Sequence, residues 1–259
     1  MEATTEARRA RRCESELMSL ACRSLAPPST WKRFGQNYER LGNGGRAPSR
    51  QTESMFDFEA APTDPPASRR PTALVAQQLF AARTVLIFGE ITVELAESVA
   101  AQLFALAAIS KDPIRVVINS PGGHVESGDT LYDVIRFIEP EVRILGSGWV
   151  ASAGALIFAA AERHNRVALP NTRFLLHQPM GGVGGPASDI EIEARQILSV
   201  RERLNRIFAQ ATGQPYEKVA RDTERNHWMD AKEAKAYGLV GRIVERAADW
   251  SSDAPPNER

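Results

Sequence analysis

A chain of 259 residues with 43% hydrophobic content can bury a sizeable core, which excludes a fibrous or wholly disordered protein. Its 32 Lys and Arg balance 32 Asp and Glu, so no whole-chain field argues for nucleic acid or an anionic membrane as partner. The two cysteines, Cys13 and Cys22, have no nearby His or second Cys pair, so neither a disulfide framework nor a metal site follows, and no cofactor is implied.

Residues 1–71 are rich in Arg, Pro, Ser and Gly and carry no sustained apolar period. Such a stretch cannot offset its chain entropy, so a disordered extension is predicted; a true start at Met55, with the upstream residues an artefact, is the competing reading. Arg8, Arg9, Arg11 and Arg12 suit a transit peptide, but Glu2, Glu6, Glu14 and Glu16 do not, and no apolar segment follows as a secretory signal requires. Apolar runs further on are far shorter than the roughly 20 residues of a membrane span, so a soluble, cytoplasmic protein is expected.

From Leu74 onward, short β-branched runs alternate with helical patterns, the signature of an α/β domain, expected over 72–247 with a disordered tail at 248–259. Strands are predicted at Thr84–Phe88, Ile114–Ile118, Val142–Leu145, Arg166–Leu169 and Arg173–Leu176. Helices are predicted at Val93–Ala108 and Glu126–Ile138, with Pro140 stopping the second. A longer helix starts after Ser188, which pairs with Glu191 as a capping box; Ile190, Ala194, Ile197, Arg201, Leu204 and Phe208 mark mainly one face, and Gly213 ends it. A last helix opens on the capping pair Asp230 and Glu233 and stops at Gly238.

Three segments carry candidate chemistry. In Ile118-Asn119-Ser120-Pro121-Gly122-Gly123 a strand enters a turn whose glycines tolerate positive φ and can aim amides at a developing oxyanion. In Gly146 to Ala155 a strand gives way to a helix of tiny residues, which puts Ser152 where its hydroxyl shares space with unpaired first-turn amides. In Arg173 to Gly182 a strand ends at His177, whose imidazole suits proton transfer near neutral pH. Taken singly, each has a plainer explanation: a tight turn, a small-residue packing helix, a rim histidine.

In this order and spacing the three segments together resemble the ClpP family, peptidase S14, over about Leu74 to Val244. Phe137-Ile138-Glu139-Pro140, Leu169-Pro170-Asn171, Arg221-Asp222-Thr223-Glu224-Arg225 and Tyr237-Gly238-Leu239-Val240 add to the likeness. The resemblance implies a ClpP/crotonase-like α/β fold of repeated β-β-α units with a protruding handle helix. It also implies a serine endopeptidase working on unfolded proteins and peptides inside a chamber of two stacked seven-membered rings, a tetradecamer. Ser152 becomes the nucleophile, His177 the base, and the Gly123 and Ala153 amides the oxyanion hole. Gly123, His124, Val125, Met180 and Gly181 would flank an extended substrate and pair with its backbone.

Two positions depart from the family pattern. Where the family carries a third catalytic aspartate, this chain has Asn226, and in a serine triad that exchange costs about 10⁴ in turnover. The readings are a slow but real peptidase, a subunit activated by a paralogue in a mixed ring, or a rearranged site using Asp222, one helical turn away. Papain-like enzymes orient their histidine with Asn, which favours retained, weakened activity. The family also docks a ring-shaped ATPase unfoldase on an apolar pocket, but Arg115 and Val117 replace the usual aromatic residues there. A non-catalytic regulatory ring subunit is the main alternative function, and a crotonase-like acyl-CoA enzyme the distant one.

Overall fold

The computed structural model describes residues 72–182 and 184–251; the expected N-terminal extension and residues 252–259 of the expected tail lie outside them. The chain enters through α1 (Ala73–Ala81), which the sequence reading did not anticipate, and then repeats one pattern. Each repeat is a strand, a second extended segment and a helix. The first comprises β1 (Thr84–Phe88), Ile91 and α2 (Val93–Ile109); the second is β2 (Ile114–Ser120), extended on to Gly123, with α3 (Val125–Phe137). β3 (Val142–Ala151) with α4 (Ala153–Ala159) is the third, and β4 (Arg166–Ala168), β5 (Arg173–Leu176) and α5 (Ala187–Thr212) form the fourth. The chain closes with α6 (Tyr216–Asp222), β6 (His227–Asp230), α7 (Ala231–Tyr237), β7 (Arg242–Ile243) and α8 (Ala247–Ser251).

Local chemistry explains why the elements start and stop. Thr92 accepts a hydrogen bond from the Leu95 amide and so satisfies one orphan donor at the start of α2. At its other end the Arg83 guanidinium donates to the Leu106 and Ser110 carbonyls at 3.0 and 3.1 Å, where a cation suits the helix dipole. α2 buries Ala96, Val99, Leu103 and Leu106, one stripe of a 3.6-residue period. The predicted Asp230–Glu233 capping box is present in both directions, and Gly213 and Gly238 end their helices in the left-handed conformation with φ of 74° and 94°.

The parallel strands are ordered β1-β2-β3-β4-β7. Val85, Ile87, Val116, Ile118 and Ile144 alternate along their strands and are buried on one face of the sheet, while Arg115 and Phe88 on the other face are exposed. A second layer is built from the extended segments. Ile91 bridges Gly123, Ser120 pairs with Val150, Trp149–Ala151 pairs with Arg173–Leu175, and β5 pairs antiparallel with β6. Glycines permit the bend of β3 from one layer to the other: Gly148 has φ of 63°, and a Cβ there would sit 2.8 Å from the Asn119 side chain.

Several predicted boundaries move. The first strand and Arg173–Leu176 match, but β3 continues to Ala151 because Val150 is fully buried and paired on both sides, so its Gly-rich half is strand rather than turn. The long helix does not use a Ser188–Glu191 capping box. It begins at Ala187 with Pro186 before it and no side-chain cap, which leaves Ser188 inside the first turn and exposed. β6 and α6 carry no period long enough to read. Part of the expected tail is the helix α8, whose Trp250 ring lies 5.8 Å from the Arg115 guanidinium in a cation–π pair.

α5 has 26 residues and is about 39 Å long at 1.5 Å per residue. Only its second half is tied into the core, through Leu204, Asn205, Phe208 and Thr212. Its first half exposes Ile190, Ile192 and Leu198 at 41, 53 and 60%. Arg166, buried on β4, donates to the Ala211 carbonyl at the C-terminal end of α5; burial lowers its pKa to about 10.

Candidate active site

The second layer assembles the predicted residues, because each stands at the end of one of its segments: Gly123 after β2, Ser152 after β3, His177 after β5 and Asn226 before β6. Ser152 has φ 55° and ψ −121°, a region that non-glycine residues avoid at a cost of about 1–3 kcal/mol. Its amide donates to the Leu175 carbonyl at 3.0 Å, and its carbonyl accepts from the Ala155 and Leu156 amides at 2.9 and 3.1 Å. The side chain makes no cap bond, which removes the plainer reading of Ser152 as a helix cap.

The tiny residues of α4 serve both packing and position. All seven residues of the helix are buried, and Ala153, Gly154, Ala155 and Ala159 are its tiny ones. A Cβ on Gly154 would lie 3.2 Å from the Ser120 Cβ, and one on Gly128 of α3 would lie 3.0 Å from the Ala153 Cβ. The helix thus runs through the core with Ser152 at its rim.

His177 Nε2 and Ser152 Oγ are 2.7 Å apart, and His177 Nδ1 and Asn226 Oδ1 are 3.1 Å apart. With the amide oxygen facing the ring, Nδ1–H donates to Asn226 and the Nε2 lone pair accepts from the serine hydroxyl. Burial pushes the imidazole pKa below its usual value, and the Asn226 bond offsets part of that shift. A neutral, basic imidazole beside a hydroxyl can accept its proton.

Asp222 does not join this line. Burial alone would raise its pKa, but bonds from Lys218 Nζ at 2.6 Å and the Tyr237 hydroxyl at 2.9 Å hold the carboxyl below the normal range. The rearranged site expected as one alternative is therefore not formed.

The Gly-Gly turn lies against the serine. A Cβ on Gly122, at φ 102°, would be 2.6 Å from the Ser152 Cβ, and one on Gly123 would be 2.4 Å from the Ile91 carbonyl oxygen. Only glycine allows both approaches. The turn is pinned by the Ile91 amide donating to the Gly122 carbonyl, the His124 amide donating to the Ile91 carbonyl, and the Gly122 amide donating to Ser120 Oγ. The Ala153 amide precedes the first intrahelical bond of α4.

Of the predicted substrate contacts, Gly123 and His124 are exposed and Val125 half-buried. His124 faces Ser127 Oγ at 2.9 Å and Glu126 at 3.2 Å. Met180 is 81% exposed, and Gly181 runs beside Ile197 of α5. Sequence reasoning missed Gln178, Thr223 and Asn205, which tie down the Asn226 turn. Asn205 signals itself only as an amide on the buried stripe of α5 between Leu204 and Phe208. Among the described residues no group of His, Cys, Asp and Glu could hold a metal ion, and no helix is long and apolar enough to cross a membrane.

The Clp protease family profile matches residues 68–247. The chain is 57% identical over 193 residues to the ATP-dependent Clp protease proteolytic subunit 3 of Rhizobium meliloti (strain 1021), covering 74% of this chain and 97% of that protein. It is 61% identical over 181 residues to proteolytic subunit 2 of Gluconobacter oxydans (strain 621H), covering 69% and 81%. The solved structure of ClpP1 from Listeria monocytogenes superposes with a TM-score of 0.63 at 52% identity, over 68% of this chain and 99% of that one. An asparagine-to-aspartate mutant of the same protein superposes at 0.64. With this likeness spanning nearly all of the described fold, the chain belongs to the ClpP family of Clp protease proteolytic subunits, peptidase family S14.

Proposed function

We propose that the chain is a working serine endopeptidase subunit in which Ser152 is the nucleophile, His177 the general base and Asn226 the residue that orients the imidazole. The observation that carries this reading is the 2.7 Å contact between Ser152 Oγ and His177 Nε2, made by a serine held at positive φ.

Ser152 Oγ attacks the scissile carbonyl while His177 Nε2 takes the hydroxyl proton. The carbonyl oxygen becomes an oxyanion, received by the amides of Gly123 and Ala153. The imidazolium then returns the proton to the departing amine, the C–N bond breaks, and the acyl-enzyme forms. Water, deprotonated by His177, attacks the ester and releases the second product with Ser152 restored. Asn226 Oδ1 accepts from Nδ1–H throughout, which keeps Nε2 free for the transfer. An extended polypeptide pairs with Gly123 to Val125 on one side and Met180 to Gly181 on the other; backbone pairing reads little sequence.

Family membership sets aside the acyl-CoA alternative. The exposed apolar residues at the start of α5 support a handle through which copies, or copies and a paralogue, interlock into stacked heptameric rings in the cytoplasm. An ATPase unfoldase would meet an altered pocket, since Arg115 lies over Trp250. One observation favours a second reading, a regulatory ring subunit: Asn226 is neutral where the family's triad has a carboxylate.

Fluorophosphonate labelling and hydrolysis of a fluorogenic peptide by the purified assembly test the choice. Both are expected in the native chain and lost in Ser152→Ala. An assembled native chain that neither labels nor cleaves would favour the regulatory role and sink the peptidase.

A further inference from the structure

The turn that presents Asn226 has little to hold it locally, since residues 224–226 are exposed. Three bonds reach it from elsewhere. The Gln178 amide donates to the Thr223 carbonyl at 2.7 Å, and Gln178 Nε2 donates to the Glu224 carbonyl at 2.8 Å. Thr223 Oγ1 donates to Asn205 Oδ1 at 2.8 Å, with the Val219 carbonyl a second acceptor at 2.9 Å. Thr223 and Asn205 are 1% and 3% exposed, so this pair is anchored in the core, on α5. Gln178 adjoins His177 in the chain. The residue after the base thus grips the turn that carries the base's partner.

We propose that Gln178, Thr223 and Asn205 form a positioning clamp for Asn226, and that a neutral amide at that place depends on the clamp more than a carboxylate would. The proposal rests on the peptidase reading above. A carboxylate attracts an imidazolium through its charge over several ångströms and offers the same atoms after a half-turn. An amide has only its dipole, so it acts at contact distance and in one orientation. Rotated by a half-turn it presents Nδ2 to Nδ1, the ring must then carry its proton on Nε2, and Nε2 can no longer accept the serine proton. The clamp keeps the turn close, at the 3.1 Å separation where Oδ1 serves as acceptor. None of the three residues touches the reacting atoms.

The test uses the full-length assembled chain and a fluorogenic peptide. Thr223→Val keeps the shape and removes the hydroxyl, Thr223→Ser restores it, and Gln178→Ala removes the surface arm. Misaiming the partner is expected to lower kcat about tenfold in Thr223→Val and Gln178→Ala with KM nearly unchanged, and to leave Thr223→Ser close to the native chain. Because the clamp acts only through Asn226, Thr223→Val should cost nothing further in an Asn226→Ala background and less in an Asn226→Asp background. Native kcat in both single variants, or the same loss with and without Asn226, would overturn the proposal. If Thr223→Val does not assemble, Gln178→Ala decides alone.

Imidazole nitrogen shifts of His177 read the clamp without turnover, which separates its failure from that of the peptidase reading. The native ring should be protonated at Nδ1, and the two variants should mix tautomers. An unchanged tautomer in both variants would refute the clamp even if no peptide were cleaved.

Discussion

Replacing Asn226 by aspartate turns a neutral acceptor 3.1 Å from His177 Nδ1 into a charged one. A hydrogen bond between neutral groups contributes about 1 kcal/mol net and one to a charged group about 1.5–3 kcal/mol, so the imidazolium formed during attack gains roughly 0.5–2 kcal/mol. At 1.36 kcal/mol per decade, kcat should rise about 2–30-fold. The partner turn is exposed, and solvent screening favours the lower end. This is far less than the factor of about 10⁴ lost when the aspartate of a serine triad becomes an amide, because much of that loss is a wrong tautomer. Here the amide oxygen already faces the ring, so only the charge is missing.

The assay is fluorogenic-peptide turnover against pH, with the mass of the assembly checked in parallel. A protonated His177 cannot take the serine proton, so activity falls as pH drops through its pKa. Burial holds that pKa down in the native chain, so activity should persist to lower pH there. The new carboxylate favours imidazolium, and the acid limb of kcat/KM should move to higher pH in Asn226→Asp. Unchanged or lower turnover in a folded, assembled variant would refute the reasoning. A gain near 10⁴ would refute the orientation assigned to the amide.

Two other variants probe position and assembly. Gly122→Ala puts a Cβ 2.6 Å from that of Ser152 at φ 102°, so fluorophosphonate labelling and hydrolysis should both fall about a hundredfold, and normal labelling would show that the contact relaxes. Ile192→Asp with Leu198→Asp places charge on the exposed apolar start of α5; the assembly measured by native mass spectrometry should shrink, with peptidase activity falling alongside, whereas an unchanged mass would dissociate this surface from ring pairing.

What the sequence determined by itself is what neighbouring residues decide among themselves. The limits of β1 and β5, the Asp230–Glu233 capping box and the left-handed glycines at 213 and 238 all follow from backbone preferences within a turn or a strand. The identity of Ser152 and His177 as candidates was legible too, through motifs that a resemblance joined. The tertiary structure alone decided the rest. β3 runs through a glycine-rich stretch because Val150 finds partners on β2 and β5, far along the chain. Ser152 meets His177 across 25 positions and His177 meets Asn226 across 49, while Asp222, equally eligible by spacing, is drawn to Lys218 and Tyr237. Such choices depend on which groups compete for one donor at one point in space, and no local pattern encodes that competition.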